Sequence, residues 1–234
     1  MKKVMIRFIG AAAMLSLTFC SNEGIKERPD DIEATGERTE IYNKIMAEFP
    51  EFKNVKKTQP ALFEGTAAKQ VVLTNESAVY VTYISEGASY SNTFGWYSYN
   101  INDKPEQRSD LKLNVLFPHV SYRVLKQGDR LQVGDGTFPA GTVIGFFLII
   151  NGWGGGEIHY DRETFYTDYT LNTDAQQQHV LFKQKELGDI VLTFEDDLTS
   201  HQSDQDFNDI IFTVTDNKEN KAATNFDLTN VVNL

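Results

Sequence analysis

Between residues 195 and 209 the chain places six oxygen-bearing side chains whose types and spacing suit a hard cation: Glu195, Asp196, Asp204, Asp206, Asn208 and Asp209. The first two close the apolar run "DIVLTF" at 189–194, and the last four lead into "IIFTV" at 210–214. If these runs pair as the strands of a hairpin, both acidic groups meet at one end of a sheet. Two carboxylates 4 Å apart repel by about 4 kcal/mol at an effective dielectric of about 20. A Ca²⁺ ion, which takes roughly six to eight oxygens at about 2.3–2.6 Å, converts that repulsion into coordination. Asp197 is the weaker neighbour, because successive strand residues face opposite sides. Magnesium retains its water and favours substrate phosphates, so an all-protein cage suits it less. The rival reading is a solvated turn in which Asp and Asn act only as turn formers. Although Asp204-x-Asp206-x-Asn208 begins like an EF-hand loop, Asp209 and Thr215 stand where such a loop needs glycine and glutamate, so it is not one.

Other candidate chemistry is thinner. Glu86 and Asn92 could complete a cation site or shape the turn beside Gly87 and Gly95. His179 is a poor calcium ligand and is expected to be exposed or hydrogen-bonded to the acidic loop. "NGWGGGE" at 151–157 lacks the Lys-Ser/Thr and the helix of a phosphate loop, and reads as a long glycine loop at the rim of the fold. Trp153 within it is a possible ligand-binding platform for a sugar, although aromatic residues in strand runs are more often core. The four histidines are scattered, with no nucleophile elbow and no zinc-protease motif. No pair of carboxylates stands out as acid and nucleophile. The chain is therefore not expected to be an enzyme.

The elements that must position the acidic residues are mostly strands. "QVVLT", "AVYVTYIS", "GWYSYNIN", "LKLNVLF", "SYRVL", "TVIGFFLII", "TFYTDYTL", "HVLFKQ", "DIVLTFE" and "DIIFTVT" are short β-branched and aromatic runs parted by Gly, Asn and Asp turns. They predict an all-β fold, an antiparallel β-sandwich of jelly-roll type. Phe146–Ile150 is apolar on both faces and should run through its core. Ahead of the strands, Ile41, Tyr42, Ile45, Met46 and Phe49 lie at helical spacing between Thr39, a candidate cap, and Pro50, a stop. This short amphipathic helix is expected to dock on the sandwich.

Residues 1–19 read as a secretory signal, with a basic start and an apolar stretch shorter than the roughly 20 residues a span requires. Cys20, after Leu17-Thr18-Phe19, is the expected lipidation site, in a relaxed lipobox that resembles those of spirochaetes. Residues 20–37 read as a flexible tether, 38–216 as the sandwich with its helix, and 217–234 as a polar tail or edge strand. With a single cysteine, no internal disulfide is available to an exported chain. The net charge is −11, and −14 once Lys2, Lys3 and Arg7 are removed, which disfavours nucleic acid and favours cations.

"VLTFEDDLTSHQSDQDFNDIIFTV" is similar to the signature of the domain-of-unknown-function family 4114, in which a Phe-Glu-Asp segment is followed by Asp-x-Asp-Phe-Asn-Asp and a strand. "YISEGASYSNTFGWYSYN", "GTVIGFFLIINGW" and "YTLNTDAQQQHVLF" extend the resemblance over roughly 75 to 216. It implies a secreted or envelope β-sandwich with acidic loops suspected of holding calcium, and no enzymatic activity. The expected protein is thus a cell-envelope lipoprotein, lipid-anchored at the outer membrane or cell surface. Its calcium-binding sandwich would act as a surface binding or adhesion module for a protein or glycan. A calcium-assisted carbohydrate-binding module and a purely structural envelope protein remain open.

Overall fold

The computed structural model describes residues 24–87, 89–197 and 203–234, so the signal segment, Cys20 and most of the connection 198–203 lie outside the described residues. In chain order the elements are β1 (Glu33–Ala34), α1 (Thr39–Glu48), α2 (Val55–Thr58), β2 (Val71–Val72), β3 (Tyr80–Glu86), β4 (Asn92–Asn100), β5 (Asn114–Val120) and β6 (Asp129–Gln132). There follow β7 (Thr142–Ile149), β8 (Trp153–Gly154), β9 (Glu157–Ile158), β10 (Thr164–Tyr166), β11 (His179–Lys183), β12 (Ile190–Phe194), β13 (Ile210–Thr215) and β14 (Val232–Asn233). One sheet runs β1-β6-β3-β13-β12-β11-β14; the other runs β10-β7-β4-β5, with β2 sharing the outer edge of β7. Every pairing is antiparallel except that of β11 with β14, which the tail adds in parallel at one edge. Among the described residues no helix is long and apolar enough to cross a membrane.

The two sheets meet face to face as an antiparallel β-sandwich. Phe212 of β13 stacks on Phe94 of β4 at 4.1 Å, and Phe94 also meets Phe146 and Phe194. Truncating one such ring to alanine costs about 3–5 kcal/mol. Every residue of β7 is buried, as its two-sided apolarity predicts. Across β4 and β7, rings lie over glycines: Gly95 faces Phe147 and Gly145 faces Tyr97. A Cβ on either glycine would come within 2.3 Å of that ring, so both positions require glycine.

A second apolar layer covers the outside of the seven-stranded sheet. Ile41 and Ile45 of α1 and Phe49, which caps its C-terminus, pack with Val180, Phe182, Val191 and Ile211, and Phe49 stacks on Phe182 at 5.0 Å. Thr39 is the first helical residue rather than the cap; Arg38 holds that position, its N–H donating to Gln127 Oε1 at 2.8 Å. The one-turn α2 has no apolar period to announce it, but Asn54 caps it by accepting from the Lys57 N–H.

Three stretches depart from their sequence reading. "SYRVL" makes turns, because the Ser121 carbonyl accepts the Val124 and Leu125 N–H groups, and the strand begins instead at Asp129. "TFYTDYTL" leaves the sheet after Tyr166, where Thr167 and Asp168 turn inward to bond Tyr97. Residues 24–37, read as tether, lie against the sandwich. Arg28 forks onto the buried carboxylate of Asp129, and β1 pairs with β6. A buried carboxylate needs a partner, and this segment brings it.

Candidate metal centre

In the β12–β13 hairpin Phe194 lies opposite Ile210, so Glu195–Asp197 and Asp204–Asp209 emerge at the same end of the sheet. There the acidic residues divide into two groups. The inner one holds Glu195, Asp196 and Asp209. Glu195 Oε1 accepts from Ser203 Oγ at 2.6 Å and Oε2 from the Phe207 N–H at 3.2 Å. Asp209 Oδ2 accepts the Asp196 N–H at 2.8 Å. Asn92, at the start of β4 in the other sheet, donates to Asp196 Oδ2 at 2.8 Å and accepts the Asn151 N–H at 2.9 Å. These bonds tie the two sheets together at this end.

The outer group is Glu51, Asp204 and Asp206, each with a carboxylate oxygen within 4.8 Å of the others. Glu51 is exposed, Asp204 half-buried and Asp206 only 1% exposed. Glu51 comes from the turn between α1 and α2, which is bound to the acidic loop: the Phe52 N–H donates to Asp206 Oδ2 at 2.9 Å and the Val55 N–H to the Gln205 carbonyl at 2.8 Å. Gln205 and Phe207 take left-handed backbone (φ 59° and 54°). That alternation curls the segment instead of extending it. Asp204 stays half-buried and Asp206 turns inward, while Phe207 enters the core against Phe63.

Burial and mutual repulsion mark the cluster electrostatically. Burial pushes the Glu195 carboxyl up to about 7, with Asp206 and Asp204 adding to the rise. Asp196, Asp209 and Asp206 are likewise raised, first by burial and then by neighbouring carboxylates. A cation here would relieve several charges at once. Oxygen donors alone make the set suited to a hard ion such as Ca²⁺ rather than to a thiolate- or imidazole-seeking metal.

The structure thus joins Asp204 and Asp206 with Glu51, which sequence reasoning missed. It sets Glu195, Asp196 and Asp209 apart behind them. Asn208 Nδ2 donates to the Phe49 carbonyl at the end of α1, so its amide serves to dock that helix. Asn92 belongs to the inner group through Asp196, and Glu86 stands at the adjoining end of β3, opposite Ile210. His179 lies opposite Phe194, at the same end of the sheet as the acidic loop, but its ring is turned into the core: it is fully buried and bonded through Nε2 to the Lys69 carbonyl. Burial pushes its pKa down to about 3, so the ring is neutral and packs as core. Trp153 is half-buried, with His119 stacked 6.1 Å away. The glycine run beside it is a tight hairpin, Gly155 and Gly156 both having positive φ.

No curated protein and no solved structure matches the chain. Residues 138–217, from just before β7 to just past β13 and including most of the acidic loop's carboxylates, match the family described as Domain of unknown function (DUF4114), the family that the sequence resembles.

Proposed function

We propose that the protein is a calcium-binding β-sandwich of the cell envelope, acting as a surface binding module rather than as an enzyme. The observation that carries this reading is the convergence of Glu51, Asp204 and Asp206 from two distant segments to within 4.8 Å. An ion there ties the α1–α2 turn to the β12–β13 connection and relieves the repulsion stored behind it. A ligand that binds only the folded state stabilises it by about 2.7 kcal/mol at a hundred times its dissociation constant. In a chain with one cysteine, that replaces what disulfides supply elsewhere. In this reading residues 1–19 export the chain and a lipid on Cys20 anchors it at the outer membrane or cell surface. The partner is a protein or glycan, and the acidic surface excludes nucleic acid.

The test is a thermal melt in EDTA, in millimolar Ca²⁺ and in millimolar Mg²⁺. The expected result is a rise with calcium alone that Asp204→Ala/Asp206→Ala abolishes. Identical melts in the three buffers would reduce the cluster to a solvated turn.

A further inference from the structure

At the margin of the sandwich where β5 faces β6, the sheets part to leave a cleft of about 590 Å³, within the range of small-ligand sites. Trp96 of β4 forms part of its wall, and two exposed apolar side chains, Ile25 (51%) and Tyr160 (59%), stand on its rim. Phe138 meets the Trp96 ring edge-on at 5.4 Å. Beside them Gly134 has positive φ; a Cβ there would lie 3.2 Å from the Phe138 ring and 3.4 Å from the six-membered ring of Trp96, so glycine lets the chain pass close to both rings.

The polar lining is rich in acceptors. The Asn114 amide nitrogen is committed to the Lys112 carbonyl at 3.0 Å, and that of Gln132 to the Gly136 carbonyl at 2.9 Å. Both amides are thereby fixed with their oxygens left as acceptors. Asp30, Asp31 and Asp135 add exposed carboxylates, against which stands Lys26, itself paired with Asp30 at 2.5 Å.

We propose that this cleft binds carbohydrate, namely a neutral or amino sugar unit of an oligosaccharide. A sugar ring is amphipathic: its C–H face packs on Trp96 and Tyr160 while its hydroxyls donate to Asn114 Oδ1, Gln132 Oε1 and Asp135. An apolar ligand would leave those acceptors unmet as it displaced their water, which is costly, and an acidic sugar would meet three carboxylates. Trp153, the tryptophan singled out by sequence, is less suited because His119 is stacked near it. The inference gives the binding module a ligand class, and it uses none of the residues of the metal centre.

The chain has two tryptophans, so Trp153→Phe leaves Trp96 as the single indole reporter. The full chain carrying that substitution, in a detergent without a sugar headgroup, is titrated with chitotriose, glucosamine trimer, cellotriose and trigalacturonate while indole emission is followed. The expected result is a saturable shift with at least one neutral or amino trisaccharide and none with trigalacturonate, equal in EDTA and in calcium. Tyr160→Ala and Asp135→Ala, both at exposed positions, each weaken it about tenfold, a loss of about 1.4 kcal/mol. No saturable shift with any neutral or amino sugar overturns the proposal, and so does binding that both variants leave unchanged. A shift that requires calcium would move the sugar to the metal centre and also overturn it.

Discussion

The two acidic groups at the end of the β12–β13 hairpin share residue types and differ in what their oxygens do. Glu195 and Asp196 are 2% and 5% exposed, and chain donors occupy both Glu195 oxygens and Asp196 Oδ2. They join strand ends across the sandwich. Glu51 and Asp204 reach the surface, and with Asp206 they bring carboxylate oxygens within 4.8 Å of one another. Carboxylates that look alike in sequence therefore act as internal staples or stand together as a candidate cation site, according to burial and to the donors the chain supplies.

The largest effect should come from breaking the inner group. Asn92→Leu removes the donor to the buried Asp196 and the acceptor of the half-buried Asn151 N–H, leaving both groups unmet. At about 1–3 kcal/mol each, the expected loss is roughly 3 kcal/mol by urea unfolding, the same in EDTA and in calcium. A loss seen only in calcium would place Asn92 in the ion's cage and erase the distinction between the groups.

A smaller effect separates them by pH. The Glu195 carboxyl titrates near 7 in the fold against 4.5 for the free group, so above pH 7 its buried charge destabilises the native state. The folded form binds the extra proton, so stability rises as pH falls from about 8 toward 4.5. His179 acts in the opposite sense: its folded value of about 3 lies below the ordinary 6.5, and stability is lost as pH falls below 6.5. The two effects offset one another between about pH 4.5 and 6.5. Metal-free protein should therefore lose stability as pH rises from about 6.5 to 8, and the raised carboxyls of Asp196 and Asp209 add to that loss. Glu195→Gln is expected to stabilise it by about 2 kcal/mol at pH 8, with no gain at pH 5. If the alkaline decline survives undiminished in the variant, the decline belongs to Asp196 and Asp209 instead.

What the sequence disclosed and what it hid follow the same physical division. The β12–β13 hairpin was legible because its two apolar runs are short, β-branched and flanked by acids, which fixes the end at which Glu195 and Asp209 meet. Asp204 and Asp206 were legible by spacing. Glu51 was not, since its place depends on α1 docking across the outer face of the sheet, and nothing local to Pro50-Glu51-Phe52 signals it. The left-handed turns at Gln205 and Phe207 were equally hidden, because neither residue type favours that backbone. Residues 24–37 misled because charged, apolar-poor composition reads as tether. Only the fold reveals the buried Asp129 that Arg28 satisfies. Trp96, the wall of the cleft, is indistinguishable in sequence from its core neighbours Phe94 and Tyr97.

The outer group responds to its own substitution differently from the inner one. Glu51→Ala removes an exposed side chain, so in EDTA the melt should shift by no more than about 0.5 kcal/mol in stability. In saturating calcium the same variant should lose about 1 kcal/mol through weaker binding. A full loss in EDTA would make Glu51 a structural residue and leave the ion without its third carboxylate.

Phe52 gives the finest test of how the cage is held. Its ring is 81% exposed and its φ is 62°, a backbone that costs a non-glycine residue about 1–2 kcal/mol. The contact that holds it there is the N–H donated to Asp206 Oδ2, on the residue that joins Glu51 and Asp204 in the outer group. Glycine keeps that N–H and relieves the strain, at an entropic cost of roughly 0.5–1 kcal/mol in the unfolded chain. Phe52→Gly should thus stabilise by only about 0.5 kcal/mol and leave calcium affinity unchanged. Phe52→Pro, which removes the N–H and cannot adopt positive φ, should destabilise the protein and release Asp206 from its orientation. If proline left both the melt and the calcium response intact, the α1–α2 turn would not be what orients Asp206, and the outer cage would be organised by its own loop alone.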